Sequence, residues 1–563
     1  MSLSTDRPWV TTLSSEPKYI QPLEPTTVPE LLAAAVATAP EAPAVKYYGW
    51  EATWAQIDDQ ANALAAYLAE RGFGPGDVLG IYLQNVPHYY FAALAAWRLG
   101  GVVVPLNPMY RDELAHVFAD ASVKALVVSA AAYNDRVKDY AADLDIVITC
   151  NDRDLVQVEA ERIFGAFPAQ IPTGRPDLSD IVKEYSGRSV RQAPVTRETP
   201  AIYGYTSGTS GKSKGAVLTH GNLTVNAIMS RDMMDYGPGN VMFTLAPVFH
   251  ITGFVCQFLA NIACRSALSM NYRFDPVTSL EIFRRDRPNY MAGPATAFMA
   301  LLAVPGFEAA DFESFDQIMS GGAPLPEAIV AKFEERTGYY IGQGYGLTET
   351  SAQCALVPNG FRAPVDEESG NLSCGLPLAS VTVSILDDEG HELAAGEVGE
   401  VCVSGPMVTH EYLGNPEATA RDIPGGLLHT GDVGYLDAEG WLFIVDRKKD
   451  MINASGFKVW PREVEDALYL MPQVLEAAVV GVPDEYRGEN VVAYVTRQPG
   501  SELSEADVIA HARKHLAAFK APHRVVIIDE MPKTASGKVL RRELRATARE
   551  TAEAARTAAG AED

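Results

Sequence analysis

The sequence predicts an α/β fold: a large N-terminal domain of two doubly wound α/β subdomains plus a small β-barrel, followed by a small α+β C-terminal domain. Two patterns support this prediction. Short apolar runs alternate with amphipathic helical segments in the first part of the chain, and short strands divided by turn dipeptides follow Asn371. A chain of 563 residues is also too long for one hydrophobic core of typical size, so at least two domains are expected.

The N-terminal part has the alternation of helices and strands that is typical of a parallel sheet. From Thr53 onward, apolar residues recur at spacings of three and four, which predicts a helix whose free amides Thr53 caps. The apolar run DVLGIYL, 77–83, predicts a buried strand, and the helical segment YYFAALAAWRLGG and the strand VVVPLNP follow it. The order recurs near KALVVSA, 124–130, which favours a doubly wound sheet.

The C-terminal part is predicted to be a separate compact unit. The polar segment DRKKD follows the last of the short strands. Beyond it come a helix from Pro461 to about residue 470, two apolar strands and a second helix over about 505–516. The predicted division is a domain at 1–445, a hinge at 446–450, a domain at 451–548 and an Ala-rich charged tail at 549–563.

The composition favours small-molecule ligands. A formal charge of -26 repels nucleic acid and anionic lipid, so no nucleic-acid partner is expected. The most apolar stretch, 251–270, is interrupted by polar residues, and no secretory signal is visible, so we expect no integral membrane association and a cytoplasmic location. Six scattered cysteines without a CxxC pair argue against a zinc site and a disulfide framework. The sequence leaves open whether two copies pair as a homodimer.

The segment YTSGTSGKSKGAVLTHGN, 205–222, is a candidate phosphate-binding loop in an acidic protein. Its second half matches the Gly-Lys-Ser of a P-loop, but Thr206 stands where the first glycine is required, so the P-loop fold is rejected. Amides at glycines, hydroxyls and two lysines still suit a polyphosphate. These candidate donors are Thr206, Ser207, Gly208, Thr209, Ser210, Gly211, Lys212 and Lys214. A flexible linker is the alternative interpretation of the loop taken alone.

Four further motifs follow the loop in order: YGLTET at 345–350, HTGD at 429–432, DRKKDMINASGFKVWPREVE at 446–465 and PKTASGKVLRREL at 532–544. Together with the loop they resemble the successive signature motifs of the adenylate-forming superfamily, which contains acyl-CoA synthetases, peptide-synthetase adenylation domains and luciferases. The resemblance covers nearly the whole chain. DRKKDMI and SGFKVWPREVE are most similar to the motifs of fatty acyl-CoA and aryl-CoA ligases.

The resemblance implies a reaction in two steps. A carboxylic acid and Mg-ATP give an acyl-adenylate and pyrophosphate, and the thiol of CoA then displaces AMP. The implied cofactors are ATP, Mg²⁺ and CoA, and the implied acid is a medium- or long-chain fatty acid or an aryl acid. Because the attacking carboxylate and the phosphate are both anions, the first step depends on positioning and charge neutralisation.

The resemblance also implies which residues bind the nucleotide. Tyr345 stacks on adenine, Asp432 accepts hydrogen bonds from the ribose hydroxyls, Arg447 supports the ribose, and Glu349 is the ligand of Mg²⁺. Thr206 of the loop and Glu349 count among the catalytic residues. Beyond the loop, the implied ATP/AMP set is Gly322, Ala323, Pro324, Tyr345, Gly346, Thr348, Asp432, Arg447 and Lys538.

Lys538, in TASGK, is implied to bridge the attacking carboxylate and the α-phosphate. For the second step the small domain is implied to be mobile, with a hinge at Lys449 about which it rotates, so that Lys538 leaves the site. The residues implied to meet CoA are Gly456, Lys458 and Lys520. The residues implied to line the acyl pocket are His250, Phe254, Gly322 and Gly344.

Two other functions remain open at this stage. An adenylating enzyme could pass the acid to a carrier protein or a non-thiol acceptor, or activate a different oxyanion. A nucleotide-binding or sensing protein without catalysis is the third hypothesis. Retention of Glu349, Asp432, Arg447 and Lys538 argues against it.

Overall fold

The protein is an assembly of mixed sheets and helices, seen here in a computed structural model that describes residues 3–13, 26–206, 213–366, 371–454, 457–484, 487–534, 537–548 and 550. These elements confirm the predicted α/β class. All six cysteines lie in the described part, where they are buried and form no disulfide. In the same part no helix is both long enough and apolar enough to cross a bilayer.

The strands are numbered in chain order. They are β1 Pro43–Tyr47, β2 Trp50–Thr53, β3 Val78–Tyr82, β4 Val102–Pro105, β5 Val123–Ser129, β6 Ile146–Cys150, β7 Pro200–Tyr205, β8 Gly215–Thr219, β9 Val241–Phe243, β10 Ala267–Met270, β11 Tyr290–Gly293, β12 Gln317–Gly321, β13 Ile341–Leu347, β14 Ala352–Leu356, β15 Leu376–Pro377, β16 Thr382–Leu386, β17 Gly399–Ser404, β18 Leu428–Leu436, β19 Leu442–Arg447, β20 Ile452–Ala454, β21 Phe457–Val459, β22 Val474–Asp484, β23 Gly488–Arg497 and β24 Arg524–Ile527.

The α-helices are numbered in the same way. They are α1 Leu3–Asp6, α2 Pro8–Leu13, α3 Val28–Thr38, α4 Trp54–Glu70, α5 His88–Arg98, α6 Glu113–Asp120, α7 Ala130–Ala132, α8 Glu161–Phe164, α9 Leu178–Glu184, α10 His220–Met234, α11 Ile251–Gly253, α12 Ala260–Cys264, α13 Pro276–Asp286, α14 Ala295–Leu302, α15 Glu327–Thr337, α16 Pro416–Asp422, α17 Pro461–Tyr469 and α18 Glu505–His515. A π-helical segment, Phe254–Leu259, joins α11 to α12.

Local sequence explains where the main helices begin. The Thr53 hydroxyl accepts a hydrogen bond from the backbone amide of Gln56 at the start of α4, and the Gln56 side chain accepts one from the amide of Thr53. Thr219 and Asn222 form the same reciprocal arrangement at the start of α10. The predicted cap of α4 is therefore found in the structure.

Two sheets of the N-terminal part are mainly parallel. The six-stranded sheet has the order β6-β5-β3-β4-β7-β8, and only β8 runs antiparallel to its neighbour. The nine-stranded sheet has the order β15-β14-β13-β12-β11-β9-β10-β1-β2, with β13, β12, β11, β9, β10 and β1 parallel. Loops after the carboxyl ends of such strands are where ligands bind in α/β proteins.

The segments after residue 371 form two smaller sheets. The region predicted as a small barrel is a four-stranded antiparallel sheet, β16-β17-β18-β19. Beyond residue 450, β20 to β24 form a five-stranded sheet in which β24 pairs with β23 in parallel. One buried apolar cluster extends from Trp9 to Phe443, and a separate one extends from Ile452 to Val525.

Candidate active site

The base of the candidate phosphate loop is a β-hairpin. Tyr205 of β7 pairs with Gly215 of β8, and the amide of Thr206 donates a 2.9 Å hydrogen bond to the carbonyl of Lys214. The ends of the loop are thus held together by strand pairing. The predicted donors Ser207, Gly208, Thr209, Ser210, Gly211 and Lys212 lie outside the described residues.

Tyr412 contacts Lys214 through its ring and Glu349 through its hydroxyl. The Lys214 ammonium lies 4.0 Å from the centroid of the Tyr412 ring, and it also donates to Asp422 Oδ2 at 2.7 Å. On the other side, the Tyr412 hydroxyl donates to Glu349 Oε1 at 2.8 Å. Burial and the nearby Glu349 carboxylate raise the pKa of the Tyr412 hydroxyl, so it stays protonated and remains a donor.

Glu349 is fixed as a nearly buried carboxylate in the turn after β13. Only 9% of the residue is exposed, and its carbonyl accepts a 2.7 Å hydrogen bond from the amide of Thr409. Among the described residues no group of three or more His, Cys, Asp or Glu side chains could hold a metal. A single carboxylate suits Mg²⁺ that takes its other ligands from phosphate oxygens and water, so the residues present fit a nucleotide-borne Mg²⁺.

Asp432, Tyr345 and Arg447 form a compact cluster. The Tyr345 hydroxyl donates to Asp432 Oδ2 at 2.7 Å, and Arg447 Nε lies 3.3 Å from Asp432 Oδ1. Asp432 of β18 and Arg447 of β19 are direct partners in the antiparallel register, which explains their contact. Burial, followed by Asp432, raises the pKa of Tyr345. Tyr345, predicted to stack on adenine, is therefore a neighbour of Asp432 and Arg447, which are predicted to bind the ribose.

Lys538 reaches this cluster from the C-terminal domain. Its backbone lies in a tight turn in which the Thr534 amide donates to the Lys538 carbonyl at 2.8 Å and Gly537 has φ +82. A Cβ on Gly537 would lie 3.1 Å from the Pro294 side chain, so the turn sits directly against the N-terminal domain. Burial, followed by the nearby Arg447, lowers the pKa of Lys538 to about 8, and Asp432 partly opposes this shift.

Two cavities meet at this cluster. The first, which we call the nucleotide–acyl cavity, measures about 1030 Å³ and is lined by Thr206, Lys214, Thr348, Glu349, His250 and Lys449 among others. The second, the interdomain cavity, measures about 1580 Å³ and lies between α14, α15 and the C-terminal domain. Residues that line both include Gly322, Gly344, Tyr345, Gly346, Asp432, Arg447 and Lys538. Of the remaining predicted adenine residues, Ala323 and Pro324 line the interdomain cavity.

The acyl side of the nucleotide–acyl cavity is uncharged. His250 caps α11 through Nδ1, which accepts from the Thr252 amide at 3.4 Å, an arrangement that leaves the proton on Nε2. Burial and then Lys538 lower the pKa of His250 to about 4, so the ring is neutral at neutral pH. Phe254 is fully buried, and its ring packs edge-on against Tyr89 and Trp97.

The two predicted CoA residues that the structure describes, Lys458 and Lys520, do not line these cavities. The Lys520 ammonium is paired with Glu463 Oε1, and neighbouring Phe519 stacks on the exposed Phe457 with ring centroids 4.6 Å apart. Lys458 is exposed on β21. The third predicted residue, Gly456, is outside the described residues.

Sequence reasoning missed several residues of the site. Tyr412 and Asp422 hold Glu349 and Lys214, yet neither belongs to a quoted motif. Gln343 lies two positions before the YGLTET motif; it is 4% exposed, and its Oε1 has no partner. A polar residue in an otherwise apolar strand is the signal by which Gln343 could have been found in the sequence.

The predicted hinge segment, 446–450, is contacted by groups that the sequence did not reveal. Arg541 Nη2 donates to both Glu465 oxygens at 2.7 Å, and Arg545 Nη2 donates to Asp450 Oδ1 at 2.8 Å. Asp446 Oδ2 accepts from the Arg462 amide at 2.9 Å. The acids of DRKKD are therefore bound by groups of the C-terminal domain.

Comparisons with known proteins find relatives that match over most of the chain. A family model described as AMP-binding enzyme matches residues 32–413, and one described as AMP-binding enzyme C-terminal domain matches residues 463–538. A long-chain-fatty-acid–CoA ligase of Bacillus subtilis (strain 168) is 32% identical over 96% of this chain and 98% of that protein. A feruloyl-CoA synthase of Amycolatopsis sp is 33% identical over 90% of this chain and 96% of that protein. Among solved structures, ATP-bound MatB from Rhodopseudomonas palustris is 29% identical with a TM-score of 0.81, covering 93% of this chain and 99% of that one.

Proposed function

Because the chain belongs to the AMP-binding enzyme family, we propose that it is an acid–CoA ligase that forms AMP. The resemblance drawn from the motifs is thereby confirmed at the level of the family. In the proposed reaction a carboxylic acid is activated by ATP as an acyl-adenylate with release of pyrophosphate. The thiol of CoA then takes the acyl group and AMP is released.

The observation that carries the proposal is the position of Lys538. Its turn lies against Pro294 of the N-terminal domain, beside Asp432 and Arg447, where the two cavities meet. An ammonium at this junction can contact an acid held on the acyl side and a nucleotide held against Tyr345. Catalysis by positioning and charge neutralisation needs such a group where two anions react.

The first step places demands on named groups of this chain. A carboxylate oxygen attacks the α-phosphorus, and the bond from that phosphorus to the pyrophosphate oxygen breaks. Lys538 neutralises the two reacting anions, and the loop from Thr206 to Lys214 binds the outer phosphates. When bound, Mg²⁺ withdraws charge from the phosphates, and Glu349, fixed by Tyr412, is the residue that would hold it.

The nucleotide base is proposed to lie between Tyr345 and the Gly322–Pro324 segment. Gly322 has φ +79, and nothing lies within 4 Å of the position of a Cβ there, so the backbone is open to a ligand. The unpaired Oε1 of Gln343 can accept a hydrogen bond from the amino group of adenine. Asp432 can accept from the ribose hydroxyls with the lone pairs that Tyr345 leaves free.

The second step is proposed to require rotation of the C-terminal domain about the segment at Lys449. In the conformation described here the Lys538 turn occupies the junction that a thiol must reach. The stacked Phe457 and Phe519, flanked by Lys458 and Lys520, form a cationic aromatic surface on the same domain. We assign this surface to the nucleotide end of CoA after rotation, since adenine stacks on aromatic rings and phosphates pair with lysine.

A screen of organic acids tests the proposed function. Purified protein is incubated with Mg-ATP and single fatty, aryl or dicarboxylic acids, with and without CoA, and pyrophosphate, AMP and thioester are measured. We expect pyrophosphate release with at least one fatty or aryl acid and thioester formation with CoA. Pyrophosphate release without thioester, but with transfer to a carrier protein or an amine, would establish a different acceptor. Absence of pyrophosphate release with every acid contradicts the proposal.

A further inference from the structure

One side chain on the acyl side of the nucleotide–acyl cavity is a polar group held in a fixed orientation. Gln353 lies on β14, opposite Gly346 of β13, and its Nε2 donates to Ser230 Oγ at 2.6 Å. Ser230 Oγ in turn donates to the carbonyl of Asn226 at 2.7 Å. Because the single serine proton is used in that bond, Ser230 must accept from Gln353, and this assigns which end of the amide is nitrogen.

The anchor for Gln353 is itself rigid. Ser230 and Asn226 lie one turn apart on α10, where they are 3% and 0% exposed. The Asn226 side-chain amide donates to the carbonyls of Gln353 at 2.7 Å and Thr350 at 3.1 Å. A buried helix therefore fixes both the backbone and the side chain of Gln353 before any ligand binds.

The free end of the amide faces the cavity. Gln353 lines the nucleotide–acyl cavity, and its Oε1 lies 3.8 Å from the position of a Cβ on Gly344, another lining residue. Within the described part of the chain, no donor is recorded for this oxygen, whereas Nε2 is bound to Ser230. The absence of a side chain at Gly344 leaves room for a ligand atom to approach Oε1.

The surroundings of Gln353 are otherwise apolar or neutral. Phe254, Ala292 and Met319 also line the cavity, and burial raises the pKa of the lining Cys256 thiol to about 12, so it is uncharged. A second carboxylate on the acid would be buried here without a cation. An acid with an apolar body and one hydrogen-bond donor matches this wall.

We propose that Gln353 determines the specificity of the acyl pocket, and that the acid activated carries a hydroxyl group that donates to Gln353 Oε1. The inference rests on the proposed function and narrows its substrate class. A plain alkyl or aryl chain would cover the amide oxygen without donating a hydrogen bond to it. We expect kcat/KM for such an acid to be roughly 10- to 100-fold lower than for the hydroxylated acid. The hydroxyl can belong to a phenol or to a hydroxylated fatty acid, and the test distinguishes these two sources.

Matched pairs of acids test the proposal. Pyrophosphate release gives kcat/KM for cinnamate against its 2-, 3- and 4-hydroxy derivatives, and for decanoate against 10-hydroxydecanoate. In the wild type we expect one hydroxylated member to exceed its parent by about 10-fold or more. In Gln353→Leu the ratio should fall to about one, mainly because KM for the hydroxylated acid rises.

Two further variants distinguish a change in acid preference from a loss of folded protein. Ser230→Ala removes the anchor without touching the acid, so as a positioning residue it should lower the same ratio partially. Gln192→Leu makes the identical replacement at an exposed position and should leave the ratio unchanged. Each ratio is measured on one preparation, so loss of folded protein cancels.

The outcomes separate this inference from the proposed function. Wild-type ratios near one in both series, or a preference that survives in Gln353→Leu, overturn the role of Gln353 and leave the ligase function intact. If Gln353→Leu is inactive with every acid, an unchanged ratio in Ser230→Ala overturns the role. No pyrophosphate release with any acid overturns both.

Discussion

At the scale of single residues, the site depends on charges whose state follows from their surroundings. Lys538 is an ammonium that burial and Arg447 push toward neutrality, with a pKa of about 8. His250 is neutral because its pKa is lowered to about 4. Burial thus brings the pKa of the cation that the first step needs close to physiological pH.

This gives a prediction for the pH dependence of adenylation. A lysine with a pKa of about 8 is charged below that pH and loses its charge above it, so kcat/KM for pyrophosphate release should fall as pH rises through about 8. The pH profile of the ATP-dependent half-reaction, measured with a carboxylic acid that is fully ionised throughout, reports this. A flat profile between pH 7 and 9.5 would contradict the account of Lys538.

A second prediction concerns the residue that holds the metal ligand. Tyr412→Phe removes the hydroxyl that donates to Glu349 while keeping the ring beneath Lys214. The Mg²⁺ concentration for half-maximal activity should rise roughly 10-fold, with little change in kcat at saturating Mg²⁺. Glu349→Gln should raise the Mg²⁺ requirement further. As a control, Tyr339→Phe, at a half-buried residue of the same domain, should leave the Mg²⁺ requirement unchanged. An unaltered requirement in Tyr412→Phe would contradict its positioning role.

At the scale of elements, features set by neighbouring residues were predictable from the sequence, and contacts between distant residues were not. The cap and extent of α4 follow from Thr53, Gln56 and the apolar spacing, all within one segment. Motif residues such as Asp432 and Lys538 were found because their positions match a family pattern. Tyr412 and Gln353 were not, because their contacts to Glu349 and Ser230 join residues more than sixty positions apart, which no local pattern reveals.

The Lys538 turn gives a prediction at this scale. Gly537→Ala places a methyl group in a left-handed conformation and 3.1 Å from Pro294, so the turn should no longer seat against the N-terminal domain. We expect the adenylation rate to drop about 10-fold or more, while thioester formation from supplied acyl-adenylate is preserved. Gly500→Ala, at a positive-φ turn with no atom within 4 Å, is the matched control and should leave both steps unchanged.

At the scale of the whole molecule, the two domains have separate cores and meet at the site. The apolar clusters end at Phe443 and begin again at Ile452, with the ion-paired segment 446–450 between them. The net charge of -26 does not prevent nucleotide binding in this account, because lysines and arginines are gathered at the junction. The α/β fold class was predictable from the periodicity of apolar residues. The way in which residues from different sheets come together in the candidate active site was not.

A hinge variant examines the proposed domain rotation. Lys449→Pro restricts the backbone at the segment about which the C-terminal domain is proposed to turn. Pyrophosphate release should persist, and thioester formation should fall by about 10-fold or more. Lys449→Ala, which leaves the backbone free to turn at the same position, should retain both half-reactions. Full activity of Lys449→Pro in both steps would count against rotation at this point.

The most direct test of the central claim measures the two half-reactions of Lys538→Ala separately. Removal of the ammonium at the junction should lower pyrophosphate release about 10²- to 10³-fold, while CoA still converts supplied acyl-adenylate to thioester at a near wild-type rate. Lys514→Ala, an exposed lysine of the same domain, should retain both activities. An equal loss of both half-reactions, or wild-type pyrophosphate release in Lys538→Ala, would contradict the assignment of Lys538 to acid activation.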